Sequence, residues 1–146
     1  MTSDRPFTET LSPSLREALA TWTLNPGASR EAITAVERAL RVTFPPDLVA
    51  FYLQSNGATG ELGKTYLAIE PVEGIAARGD DYDFGELAPE LVLFGTNGGS
   101  EGFAVDRRTG RIVVVPLHLP TDEGAVTQGG FVAFLERVEK DTLFEG

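Results

Sequence analysis

Leu15, Ala18, Leu19 and Trp22 recur at intervals of three and four residues, just after Ser12-Pro13. That spacing puts one apolar stripe on a helix, with the serine as its N-cap and the proline at its first position. Asn25-Pro26-Gly27 breaks the pattern. A second helix is predicted from Ser29, with Ile33, Val36 and Leu40 along its buried face. Glu31 falls in its first turn, where the helix dipole favours an acid. Phe44-Pro45-Pro46 punctuates the chain again, because neither proline can donate a helical hydrogen bond. Pro46 suits the start of a third helix carrying Leu48, Phe51 and Tyr52, which Asn56-Gly57 stops. Residues 1–11 are expected to fray or to dock loosely.

The period then shortens to two. Tyr66 to Ile69 reads as a strand, and Pro71-Val72-Glu73-Gly74 as the turn that ends it. Residues 76–90 carry clustered acids and glycines and predict an exposed loop. Three apolar strands follow near 91–95, 102–106 and 111–115. They are joined by the corner Gly98-Gly99-Ser100-Glu101-Gly102 and the turn Asp106-Arg107-Arg108-Thr109-Gly110. A polar loop after Pro116 leads to a last helix with Phe131, Phe134, Leu135 and Val138 on one face. Helices before and after a run of strands imply an α+β fold, a mainly antiparallel sheet flanked by N-terminal and C-terminal helices.

A chain of 146 residues fits one domain over 1–146, burying roughly 70% of the surface that its unfolded form exposes. The N-terminal residues have no apolar core of the signal-peptide type, and no apolar run is long enough for a membrane span. The absence of cysteine excludes disulfides, thiol nucleophiles and thiolate metal sites. A cytoplasmic location is the resulting expectation. Charge adds the strongest constraint. Twenty-two acids against twelve bases give a net charge of −10, which repels phosphate backbones and anionic lipid and favours a basic partner. Neither nucleic acid nor membrane is expected to bind.

Candidate chemistry is sparse. Gly98-Gly99-Ser100-Glu101-Gly102 satisfies G-x-S-x-G, but a nucleophile elbow needs a helix after its serine. Phe103-Ala104-Val105-Asp106 alternates as a strand does, and His118 is the one histidine available as a base. A small serine hydrolase using Ser100 is therefore a remote alternative. Asp80-Asp81-Tyr82-Asp83 lacks the acid spacing, glycine and terminal glutamate of a calcium loop, and no phosphate-cradling glycine motif occurs. No catalytic residue, metal site or cofactor is expected.

Taken in order, the motifs resemble the SUKH superfamily, bacterial immunity proteins related to fungal cell-wall-assembly regulators of the SMI/KNR type. The resemblance runs from Asn25-Pro26-Gly27-Ala28-Ser29 through the Ile33, Val36, Glu37, Leu40 helix, Phe44-Pro45, the Leu48-Phe51-Tyr52 helix and Asn56-Gly57. It closes on Leu91 to Val115, with the Gly98–Asp106 corner and strand. It is clearest over residues 25–140, leaving 1–24 as an N-terminal helical extension. Arg41 stands where many relatives place a glycine, and Phe44 where leucine is usual before proline. The resemblance implies a non-enzymatic domain that binds and neutralises a cognate bacterial toxin, with a regulatory protein-interaction scaffold as the alternative. Combined with the acidic charge, it suggests a basic, nuclease-like toxin. Asp80, Asp81, Asp83 and Glu86 are the expected charged contacts, Tyr82 and Phe84 the aromatic anchors, and Glu101 a further contact at the glycine corner.

Overall fold

The computed structural model of the chain describes residue 7 and residues 11–140. Six α-helices and seven strands occur among them: α1 Pro13–Leu19, β1 Thr23–Leu24, α2 Arg30–Leu40, α3 Pro46–Gln54, β2 Ala58–Leu62, β3 Thr65–Ile69, α4 Ile75–Asp81, α5 Phe84–Leu87, β4 Leu91–Thr96, β5 Glu101–Asp106, β6 Ile112–Pro116, β7 Val126–Gly129 and α6 Phe131–Glu139. The strands form one sheet in the order β1 to β7, each antiparallel to its sequence neighbours. This is the expected α+β architecture.

The helix starts follow from the residues named above. The Ser12 hydroxyl accepts from the Leu15 amide at 3.3 Å, and the Ser29 hydroxyl from the Ala32 amide at 3.0 Å. Helix α6 has no side-chain cap of its own at Gly130. Asp47, in the first turn of α3, supplies one across 84 residues of chain. Its carboxylate accepts from the amides of Phe131 at 3.0 Å and Val132 at 2.9 Å, satisfying two otherwise orphaned donors.

The strands alternate, and both sides of the sheet are used. Val92, Phe94, Phe103, Val105, Ile112 and Val114 face a large core completed by helical residues such as Leu15, Ile33, Leu48, Phe51, Phe131 and Phe134. Leu91, Leu93, Ala104, Val113 and Val115 face the opposite way, into a smaller cluster closed by Phe84, Ala88 and Leu117. Two covered faces explain why the central strands read as nearly continuous apolar runs.

Several expectations need correction. Phe7 and Leu11 are 2% and 5% exposed in the main core, so these two positions are firmly docked. The rest of the expected fraying segment, 1–6 and 8–10, lies outside the described residues. Trp22 lies over Gly60, where an added Cβ would sit 2.2 Å from the indole, and its Nε1 donates to the Glu61 carbonyl at 3.0 Å. The N-terminal extension therefore packs as part of the main core. Residues 76–90 are not a loop: they form α4 and α5, anchored by the buried side chains of Ile75 and Phe84. Strands β1, β2 and β7 also went unpredicted. Gly60 interrupts the apolar pattern of β2 because the indole occupies its side-chain space. Strand β7 reads as polar because it carries a bulge against β6 and lies at the sheet edge.

The β5–β6 turn gives a test of acid stability. Asp106 is 7% exposed, and its carboxylate accepts from Arg108 Nε at 3.0 Å, Arg108 Nη2 at 2.9 Å and the Arg108 amide at 2.8 Å. Arg108 holds the Asp106 carboxyl below the ordinary aspartate range, against the opposing effect of burial. A depressed carboxylate contributes stability that is complete above its unfolded pKa of about 4 and is lost as pH falls through the folded value. Asp106→Asn is thus expected to be less stable than the parent near neutrality, with the gap closing as the medium is acidified to about pH 2. Urea unfolding across that series checks it, and a gap independent of pH would exclude the linkage.

Candidate protein-binding surface

Helix α4 extends from a short 3-10 turn, Val72–Gly74, whose first amide donates to Asn56 Oδ1 at 2.8 Å. Asn56 Nδ2 returns two contacts to the Glu73 carboxylate, at 2.8 and 3.2 Å. These bonds hold the Glu73 carboxyl below its usual range. The Asn-Gly pair thus joins the end of α3 to the root of the α4 segment. Farther along, Arg78 bridges Glu70 and Asp81, each at 3.0 Å. The side chain of Arg78 spans two acids and fixes the exposed side of the helix.

Asp83 ends this run in the left-handed conformation, with φ of 58°. Aspartate tolerates that region better than most residues. Its carbonyl then accepts from the amides of Glu86 at 3.1 Å and Leu87 at 2.9 Å, which starts α5 in a new direction. The turn drives Phe84 inward.

Four of the acids expected at the interface are consequently exposed along α4 and α5: Asp80, Asp81, Asp83 and Glu86. Tyr82 is half-buried against the smaller cluster and still reaches the surface. Phe84 is 3% exposed, so it supports the surface from below and is not available as an anchor. Leu87, by contrast, is 41% exposed on α5, and sequence periodicity did not single it out because α5 itself was unpredicted. Glu101 does not join the group. It begins β5, paired across the far end of β4 from α5, and its amide donates to Asn97 Oδ1 at 3.2 Å. The length of β4 separates it from the other acids by roughly 17 Å, at 3.3 Å per residue.

The segment after β6 borders the same side of the molecule. Leu117 and Ala125 pack on the smaller cluster, and Asp122 accepts from the Glu90 amide at 3.1 Å. Leu119 between them is 64% exposed. The surface therefore combines aliphatic and aromatic groups with a strong negative rim, a composition suited to a basic protein with apolar contacts.

Nothing comparable surrounds Ser100. It is exposed in the corner between β4 and β5, a strand follows it, and His118 is exposed in the loop after β6. The corner is braced by Asn97, whose Oδ1 accepts from the Gly99 amide at 2.9 Å as well as from Glu101. Among the described residues no three histidine, aspartate or glutamate side chains stand together as a metal ion would require. No helix among them is long and apolar enough to cross a membrane.

Residues 27–137 match the SMI1 / KNR4 family (SUKH-1). No curated protein matches the chain significantly.

Proposed function

The chain belongs to the SMI1 / KNR4 family (SUKH-1), and from that membership we propose that it is a non-enzymatic immunity protein that binds and neutralises a bacterial toxin. The family match over residues 27–137 carries this reading. The net charge of −10 and the acidic α4–α5 surface support a basic toxin domain of nuclease type as the partner. Asp80, Asp81, Asp83 and Glu86 would meet its cationic groups, with Tyr82 and Leu87 as apolar contacts. Such acids occupy the places that nucleic-acid phosphates otherwise fill and accelerate encounter by electrostatic steering. In this reading residues 1–146 act as one domain in the cytoplasm.

Co-expression with the toxin domain encoded beside its gene is the test. The intact protein is expected to restore growth and to co-purify with the toxin. Replacing Asp80, Asp81 and Asp83 together by Asn should slow association about tenfold at low salt and flatten its salt dependence. Unchanged kinetics would remove α4–α5 from the interface. Binding without protection, or no binding to any neighbouring toxin, would count against immunity and leave the regulatory scaffold as the better account.

A further inference from the structure

We infer that the recess between the end of α2 and the β5–β6 turn is a carboxylate-binding site, built to receive a glutamate or aspartate side chain of a protein partner. Helix α2 ends in a Schellman motif: the Val42 amide donates to the Glu37 carbonyl at 3.0 Å, and the Arg41 amide to the Arg38 carbonyl at 3.3 Å. That motif requires a left-handed residue, ordinarily glycine. Here it is Arg41, with φ of 55° and ψ of 51°. Placing a side chain there is unfavourable, and a non-glycine held in that region directs attention to what its side chain does. The Arg41 side chain makes no hydrogen bond or ion pair to another described residue.

It does line a recess of ≈ 360 Å³ together with Ala39, Leu40, Pro89, Glu90 and Arg107. Arg107 is held rigidly at the wall: its Nε donates to the Leu40 carbonyl at 2.7 Å and its Nη1 to the Pro89 carbonyl. Both arginines thus border one opening. A guanidinium fork matches a carboxylate in plane and spacing. Ala39, Leu40 and Pro89 offer apolar wall for the methylenes of the side chain that bears it. Glu90 contributes one negative charge, which disfavours a phosphate dianion more than a carboxylate. A net charge of −10 on the whole chain weighs further against a polyanion such as nucleic acid. The site also adjoins the acidic surface, since Arg107, Leu40 and Pro89 line a second cleft with Asp80 and Phe84. A cationic recess beside an anionic strip would fix the orientation of a docked protein. The proposal does not depend on that protein being a toxin.

The test is an amide NMR titration at low ionic strength with a capped tetrapeptide containing one glutamate, its glutamine counterpart, and inorganic phosphate. The glutamate peptide is expected to give saturating shifts at Arg41, Glu90 and Arg107, and the glutamine peptide none. In Arg41→Gly the binding should weaken at least about fivefold, as expected for loss of a charged partner. The same variant should melt a few degrees higher, because glycine adopts the left-handed conformation without strain. An equal response to the glutamine peptide, tighter binding of phosphate than of the glutamate peptide, full binding by Arg41→Gly, or no rise in its Tm would each overturn the assignment.

Discussion

Phe131→Ala is expected to lower the unfolding free energy by about 3–5 kcal/mol, the range for deleting a fully buried aromatic side chain. The residue is 0% exposed at the start of α6. Its ring centroid lies 5.1 Å from Phe51 of α3, 5.7 Å from Phe7, 6.1 Å from Phe134 and 6.2 Å from Phe94 of β4. One ring therefore touches the N-terminal segment, two helices and the sheet, and these neighbours cannot collapse together into the vacated volume. For a domain of this size the melting temperature should fall by about 10–15 °C. Urea unfolding with an unchanged m-value is the measurement. Leu119→Ala, truncating a side chain that is 64% exposed, should change stability by less than about 0.5 kcal/mol. Similar effects from the two substitutions would mean that the aromatic cluster does not hold the fold together.

Gly57→Ala ranks next, at about 2–4 kcal/mol, from two additive causes. The backbone there has φ of +88°, a region that strains any side chain. An added Cβ would also lie 2.8 Å from both the Ile69 carbonyl oxygen and the Pro71 nitrogen, and 3.1 Å from the Glu70 carbonyl carbon. All three are main-chain atoms where β3 leaves the sheet, so none can rotate away. Gly110 separates the causes. Its φ is +73°, but the nearest atom to an added Cβ is the Thr43 carbonyl oxygen at 3.7 Å, an ordinary contact. Gly110→Ala should therefore show the strain alone, about 1–2 kcal/mol. Equal losses at the two positions, by thermal or urea unfolding, would show that the close approach at Gly57 is relieved by backbone movement.

The sequence made the helices legible because their caps and apolar stripes are local. Ser12, Ser29 and the Phe131-Phe134-Leu135-Val138 face each act within a few residues of their own position. The central strands were legible for the same reason, since β4 to β6 are buried on both sides and read as apolar runs. What escaped depends on distant partners. Strand β2 owes its glycine to Trp22, and the N-terminus of α6 owes its cap to Asp47. Helices α4 and α5 were hidden by Gly79 and by the density of acids, whose repulsion is relieved in part by Arg78. The surface positions of Asp80, Asp81, Asp83 and Glu86 follow from composition, but the inward turn of Phe84 follows from the left-handed backbone at Asp83. The joining of Arg41 and Arg107 needed the fold itself: they are far apart in the chain and meet only because the β5–β6 turn reaches the end of α2.

The unequal cores on the two faces of the sheet have a dynamic consequence. The smaller cluster contains eight buried residues, whereas the larger one draws in every helix from α1 to α4 as well as α6. Cooperative units with less buried apolar contact open at lower free energy, ahead of global unfolding. Helix α5 and the loop after β6, which close the smaller cluster, form such a unit. Their amides are expected to exchange faster than those of β4, β5 and α6, which a native-state hydrogen-exchange measurement would check. The face formed by α5 and the loop after β6 can therefore loosen while the sheet, α4 and the aromatic core stay closed beneath it.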